Sequence, residues 1–314
     1  MKRLLCGLLC IAAANAAPGV YTVLSGTGLV SFPGATVIAT QAAIGGGYYG
    51  FSADSSFNYY IAGVSAIKKV TPGGVVTTLA TAPANSQWMA TAIDASGNII
   101  VADNQQHEVW RISPNGSSVV AVANYPTCTT NLDDVYVRID GAGNYIIATD
   151  NCSTTTLARI TPAGAVTAIP LSTPINSNAG GLTLDGSGNY VVVGYTSNAI
   201  YSVTPAGQVS TLVAPNALLS NSAFCITYDP GSGNFVVCSA GNATLFSVTP
   251  GGAISTLFSG TGLAGVRGVV VTTPGTPAVP TTPVPPSLLL TMTALLALTG
   301  FWFWKKQRTS EVKP

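Results

Sequence analysis

Asp94-Ala95-Ser96-Gly97-Asn98 and, a little further on, Ile112-Ser113-Pro114-Asn115-Gly116 decide how this chain folds, because both return along it. The first recurs as Asp140-x-x-Gly143-Asn144, as Asp185-x-x-Gly188-Asn189 and, one residue longer, as Asp229-Pro-Gly-Ser-Gly233-Asn234. The asparagines are spaced 46, 45 and 45 residues apart, and Asp54 to Asn58 is a worn copy 40 residues upstream. The second element, an apolar residue followed by Thr or Ser, Pro, any residue and Gly, recurs at Val70-Thr71-Pro72, Ile160-Thr161-Pro162, Val203-Thr204-Pro205 and Val248-Thr249-Pro250. Two motifs in fixed order, five times over, mark an internal repeat.

Each repeat resolves into four short strands. In the fourth they are Gly181–Leu184, Tyr190–Val193, Ile200–Val203 and Val209–Val213. Asp-Gly-Ser-Gly-Asn is hairpin-turn chemistry, since Gly and Asn tolerate positive φ, and Pro-Ala-Gly serves the next turn in the same way. The second strand is continuously apolar, as expected where both faces of a sheet are buried, and the fourth alternates, as an outer strand should. A four-stranded meander of about 45 residues, repeated, predicts an all-β fold, a β-propeller of four-stranded antiparallel blades. A β-solenoid is the competing architecture, but its turns are usually shorter.

Dividing residues 18–273 by a blade length of about 45 gives roughly 5.7 blades. Val20-Tyr-Thr-Val-Leu24-Ser-Gly-Thr-Gly-Leu29 matches Ile254-Ser-Thr-Leu-Phe258-Ser-Gly-Thr-Gly-Leu263, so the N-terminal segment reads as an outer strand and Val266–Val271 as an inner one. Together they would close a sixth blade from both ends of the chain, with Ala35–Thr40 as a candidate further strand. Six blades is the expectation and five the alternative.

Val101-Ala102-Asp103-Asn104 through Val109-Trp110-Arg111-Ile112 resembles the NHL repeat, whose pattern runs roughly Val-Ala-Asp and then Arg-Ile; Ala148-Thr149-Asp150 through Arg159-Ile160 is a looser match. The resemblance extends over about Ala53 to Gly260 and implies a propeller scaffold. NHL-type propellers include binding modules, lyases and relatives of the lactonases, so the scaffold assigns no activity. Asp103 and Arg111 occur in one repeat and Asp150 and Arg159 in the next, whereas later repeats carry Gly194 with Ser202 and Ser239 with Ser247 at these positions. Residues that come and go together predict an ion pair within the blade.

The two ends read as addresses. Residues 1–17 have a charged start (Lys2, Arg3), an apolar stretch from Leu4 to Ala14 and an Ala14-Asn15-Ala16 cleavage site, the pattern of a secretory signal peptide. At the other end, residues 274–286 are a Pro/Thr-rich linker holding six prolines, suited to an extended spacer. Residues 287–304 are eighteen without a charge, near the length of a transmembrane helix, with Phe301-Trp302-Phe303-Trp304 at the interface. Residues 305–314 form a basic tail (Lys305, Lys306, Arg308), which places the tail in the cytoplasm and the propeller outside. Spacer, helix and basic tail together resemble the bacterial C-terminal sorting signals of the PEP-CTERM type, with Val284-Pro285-Pro286-Ser287 where that family has Val-Pro-Glu-Pro. The resemblance implies a sorting protease as a partner and the extracellular carbohydrate matrix as a neighbour.

Composition narrows the function. Of 314 residues 47% are hydrophobic and only 7% charged, against roughly 25% in an ordinary soluble domain. Between the two addresses stand six basic and ten acidic residues, a net charge of −4, which excludes a nucleic-acid binder. No Gly-x-Ser-x-Gly elbow, His-Glu-x-x-His or phosphate loop occurs, and neither a cofactor nor a metal site is expected.

In a four-stranded meander the loops entering the first strand and those joining the second to the third share one face, the top. The regular Asp-x-x-Gly-Asn and Pro-x-Gly turns lie on the bottom, so variety on top is where function is expected. The candidate ligand-binding residues there are Trp88, His107, Asp133, Asp134, Tyr195, Phe224 and Arg267, accompanied by Tyr48, Tyr49 and Glu108. Residues 29–47 read as a top-face insertion. One His beside one Glu is too few for a metal, and aromatics with an Arg and an Asp pair are enough for a binding face. A binding or interaction module is therefore the leading reading, with extracellular carbohydrate or an envelope protein as partner. A lactonase- or lyase-like enzyme at the top of the channel and a purely structural surface protein are the alternatives. The cysteines outside the signal are four. If Asp229 faces Asn234 across the hairpin, Cys225 faces Cys238, close enough for a disulfide; Cys128 and Cys152 share the top face and form the second expected pair.

Overall fold

The Asp-x-x-Gly-Asn turns close through their own side chains. Asp94 Oδ1 accepts the backbone N–H of Ser96 at 2.9 Å and of Asn98 at 2.8 Å, while Asn98 Nδ2 donates to Asp94 Oδ2 at 2.8 Å. Asp140 and Asp185 make the same three kinds of bond. The glycine supplies the left-handed residue that each turn needs, with φ +78° at Gly97 and +83° at Gly143. In the worn copy Phe57 holds that place at φ +60°, yet Asp54 still caps Ser56 and Asn58.

The computed structural model describes residues 20–25, 28–31, 48–72, 75–126, 134–151, 154–219, 223–260, 263 and 266–272. The expected signal peptide at 1–17, linker at 274–286, transmembrane helix at 287–304 and tail at 305–314 lie outside them, as do Ala35–Thr40, Asp133 and the expected pair Cys128–Cys152. The side chains of Tyr48, Tyr49 and Arg267 also lie outside.

Two short strands come first, β1 (Val20–Ser25) and β2 (Gly28–Ser31). Blade 1 follows as β3 (Tyr48–Ala53), β4 (Tyr59–Gly63), β5 (Ala66–Val70) and β6 (Val76–Thr81). Blade 2 is β7 (Trp88–Ile93), β8 (Ile99–Asp103), β9 (Glu108–Ile112) and β10 (Val119–Asn124). Blade 3 is β11 (Val135–Ile139), β12 (Tyr145–Asn151), β13 (Thr154–Ile160) and β14 (Val166–Ile169). Blade 4 is β15 (Ala179–Leu184), β16 (Tyr190–Gly194), β17 (Ala199–Val203) and β18 (Val209–Val213). Blade 5 is β19 (Ala223–Asp229), β20 (Asn234–Ser239), β21 (Thr244–Val248) and β22 (Ile254–Ser259), and β23 (Val266–Thr272) ends the series.

All five blades are antiparallel meanders in sequence order. The second strands β4, β8 and β16 are buried at every position, as the apolar runs require. Among the described residues the expected sixth four-stranded blade does not form: there are five four-stranded blades, and the remaining sheet has three strands in the order β2-β1-β23. Its strand β23 packs between β19 and β3, so it takes an inner position in the ring. Both chain ends do build this sheet, but β1 is its middle strand rather than an outer one, pairing Val20 with Thr272 and Val23 with Val269. An inner strand with an open edge is the nearest available partner, and β1 satisfies it directly. The first residues of the presumed top insertion are spent on β2, which pairs with β1.

The Thr-Pro-x-Gly motif turns out to join blades. Its Thr Oγ1 accepts the N–H four residues on, Ala165 to Thr161 at 3.0 Å and Gln208 to Thr204 at 3.1 Å, which closes the turn. Its glycine touches the blade before. A Cβ on Gly116, Gly164 or Gly252 would lie 1.9, 2.6 or 2.2 Å from the carbonyl oxygen of Leu79, Val122 or Leu212. Each of those three residues is the one skipped where the outer strand's register shifts against the third strand. The bulge turns a carbonyl towards the next blade, and only a glycine can meet it. Blade 3 has no such shift, and there Gly207 meets the Pro170 oxygen just after β14.

The arginines complete the seam and correct the expected ion pairs. Arg111 Nη1 donates to Pro162 O in the next blade at 3.2 Å. Arg159 Nη2 donates to Pro205 O at 3.2 Å and to Tyr190 Oη at 2.8 Å, again one blade on, with Asp140 at 3.7 Å from its Nε. Asp103 instead sits at the top end of β8, where its Oδ1 accepts from the N–H groups of Gln87, Gln105 and Gln106. Asp150 accepts from Asn178 Nδ2 at 2.9 Å and from the Ala179 N–H at the start of blade 4. Asp and Arg occupy opposite ends of the blade, so they serve two separate structural bonds and not one pair.

Candidate functional site

The pairing register sorts the inner strands into layers along the channel. Gly50, Ala90, Tyr136, Gly181 and Cys225 lie opposite Ala62, Ala102, Ala148, Val193 and Cys238 at equivalent places in blades 1 to 5. Small residues dominate this layer because the inner strands nearly touch: a Cβ on Gly50 would lie 2.5 Å from Ala90 Cα, and one on Gly268 of β23 2.9 Å from Phe51 Cβ. With Tyr136 also in the layer, the space open to the centre of a water molecule is only about 20 Å³. Among the described residues, no acid or base other than Tyr136 and Arg138 reaches this upper channel.

Above it lies an aromatic pair. Phe224 is the residue skipped in the β19–β20 register, between Ala223 and Cys225, and such a bulge re-aims a side chain. Its ring stacks on Tyr195 with centroids 5.0 Å apart and planes 20° apart. Tyr195 follows β16 directly, is held by its N–H donating to Asn178 O at 2.8 Å, and remains 38% exposed. Gly180 makes room for the arrangement: a Cβ there would lie 2.3 Å from Ala223 O and 3.3 Å from Tyr195 Cβ. A half-open stacked pair at a channel mouth offers a flat apolar face with one phenol, which suits a ring-shaped or CH-rich ligand.

The other expected site residues do not join it. Trp88 is fully buried, packed with Tyr60, Ile67, Ile99 and Val101 between blades 1 and 2, so it is a core residue and not part of a binding face. His107 has φ +55° and occupies the same loop position as Asn198 at +54° and Ala243 at +47°. In each case the carbonyl receives a backbone N–H from the segment after the fourth strand: Tyr125, Asn216 and Gly260. A position filled by Asn and Ala elsewhere is a turn position, and the imidazole packs edge-on with Tyr125, ring centroids 6.0 Å apart. Asp134 is half-buried just before β11, while Asp133 and the Arg267 side chain lie outside the described residues. Among the described residues, no three His, Cys, Asp or Glu side chains gather as metal ligands would. Cys225 and Cys238 face each other as the pairing of Asp229 with Asn234 implies, Cα–Cα 5.3 Å apart, a geometry fit for a disulfide.

No family model matches the sequence, and no curated protein matches it. Solved structures resemble the fold. A chain of a nidogen/laminin complex superposes with TM-score 0.66 at 14% identity, over 81% of this chain and 98% of that one. Virginiamycin B lyase from Staphylococcus aureus gives 0.55 at 17%, over 68% and 70%. A putative gluconolactonase gives 0.52 at 12%, over 67% and 78%. At such identities they show a β-propeller and nothing of its chemistry.

Proposed function

We propose that this protein is a binding module, an NHL-like propeller exported and held at the bacterial envelope with its top face outward, and that Tyr195 and Phe224 form the contact surface. The observation that supports it is the stacked pair, lying above a channel whose upper layer is Gly50, Ala90, Tyr136, Gly181 and Cys225, with no carboxylate or histidine among them. Aromatic stacking needs a planar or CH-rich partner, and an extracellular carbohydrate fits this chemistry and the address segments together. Export rests on residues 1–17, and tethering on residues 287–304 with Lys305, Lys306 and Arg308 behind them. A sorting protease acting near residues 284–287 would be a second partner.

The experiment has two arms. Protease added to intact spheroplasts should digest the propeller, and a protected propeller would refute the orientation. Purified protein should show no lyase or lactonase turnover; turnover abolished by His107→Ala or Asp134→Asn would replace the binding reading with the enzymatic one.

A further inference from the structure

The channel changes character towards the bottom. Ser52, Ala92, Arg138, Thr183 and Thr227 pair with Tyr60, Ile100, Ile146, Val191 and Val236, each two residues past the turn asparagine, so the five form one layer. Three of the five carry hydroxyls and one a guanidinium. The lower cavity, about 240 Å³, is lined by Ser52, Thr91, Arg138 and Thr227 with apolar residues of β7 and β23. Arg138 Nη1 donates to Val137 O, the carbonyl of its own neighbour, at 2.8 Å. Among the described residues the ionisable group that acts on it is Tyr136, and no carboxylate does so. Although part of the side chain stays open to the channel, burial lowers its pKa to about 10, so it remains a cation at neutral pH. Ser52 Oγ and Thr91 Oγ1 are buried without a hydrogen-bond partner. Thr183 Oγ1 accepts the Tyr228 N–H at 3.2 Å, which leaves its own hydroxyl proton to donate.

A buried cation without a counter-charge, surrounded by hydroxyl donors, is incomplete: its planar fork has most of its N–H groups to spare. We propose that the lower channel is a binding site for a small oxyanion of carboxylate or phosphate type, held by Arg138 with Ser52, Thr91 and Thr227 donating beside it. The site lies below the aromatic face, although Arg138 and Phe224 both line the narrow upper cavity between them. The aspartates of the bottom turns do not compete for Arg138, since Asp54, Asp94, Asp140 and Asp185 are each occupied by their own turn.

The test is calorimetric titration of the full chain with inorganic phosphate and, separately, acetate, at constant ionic strength set by chloride. Saturable binding of at least one oxyanion is expected, and the stronger arm tells phosphate from carboxylate recognition. Arg138→Met should weaken it about tenfold or more, the factor that accompanies loss of one charge-assisted partner. Ser52→Ala combined with Thr227→Val should weaken it several-fold in a protein that keeps its anion-free melting temperature, and this pair decides the matter if Arg138→Met fails to fold. Equal binding by the wild type and these variants, or no saturable binding by the wild type, would overturn the proposal.

Discussion

Gly207 and Gly188 are a matched pair on which the inter-blade seam can be tested. Both glycines lie in blade 4 turns with nearly the same backbone, φ +88° and +80°. A methyl on Gly188 meets nothing within 4 Å, whereas one on Gly207 would stand 1.8 Å from Pro170 O. Gly188→Ala should therefore carry only the left-handed penalty of about 1–2 kcal/mol, less the roughly 0.4–1 gained by restricting the unfolded chain. Gly207→Ala carries the same terms plus an overlap that only separation of blades 3 and 4 relieves, about 1–3 kcal/mol by analogy with overpacking. That separation also strains the bonds from Ser172 N to Gly207 O at 2.8 Å and from Val209 N to Ser172 Oγ at 2.9 Å. The net expectation is about 0.5–1 kcal/mol lost for Gly188→Ala and about 3 for Gly207→Ala. Urea denaturation followed by far-UV circular dichroism measures both as midpoint shifts. Equal shifts would refute the seam, because the two variants share everything except the neighbouring carbonyl.

Phe57→Gly should stabilise the protein by about 0.5–1 kcal/mol, read as a higher melting temperature, since it removes a left-handed non-glycine residue at φ +60°; a loss would mean that the half-buried ring matters more than its backbone. Tyr60 is pushed up to about 12, first by burial and then by its bond to Asp54 Oδ2 at 3.0 Å. Because its proton is held more tightly in the folded state, the stabilisation is complete below pH 10 and is lost as pH rises through 10 to 12. Alkaline melts of Tyr60→Phe should lack that component of the decline, and an unchanged profile would contradict it. Bridging Cys225 to Cys238, which are 13 residues apart, should contribute about 3 kcal/mol, so reduction should lower the melting temperature and Cys225→Ala/Cys238→Ala should remove this pair's share of the effect of reductant.

Much of the fold was legible because its turns are self-contained. Asp94, Gly97 and Asn98 need nothing beyond five residues of chain to specify a hairpin, so their recurrence located the blades. The Cys225–Cys238 register followed from the same turn chemistry. What could not be read was whatever depends on the neighbouring blade. Thr-Pro-x-Gly looked like turn chemistry alone, yet its glycine is also set by a bulged carbonyl of the preceding blade, more than thirty residues away in sequence for Gly116 and Leu79. Asp103 and Arg111 co-occur, but each bonds elsewhere. Trp88 begins an inner strand at the top, where exposure was a fair expectation, but its ring turns inward between two blades. Arg138 carries its own signal in the sequence: it is a charged residue two before the turn Asp, where the equivalent residues are Ser52, Ala92, Thr183 and Thr227. Tyr195 and Phe224 were both among the site candidates, and the structure stacks them. The sixth blade misled because strands from opposite chain ends have no local turn to fix their order, and β1 took the open edge of β23.

The most direct test of the central claim, that Tyr195 and Phe224 form a binding face, is affinity electrophoresis through gels containing extracellular polysaccharide from the producing cells. The wild-type propeller should be retarded, and Tyr195→Ala or Phe224→Ala should each weaken the retardation about three- to tenfold, the factor corresponding to roughly 0.5–1.5 kcal/mol of aromatic contact. Trp88→Phe, a substitution inside the core, should leave the retardation unchanged. Retardation that is equal in the wild type and both aromatic variants, or absent from the wild type, would contradict the assignment.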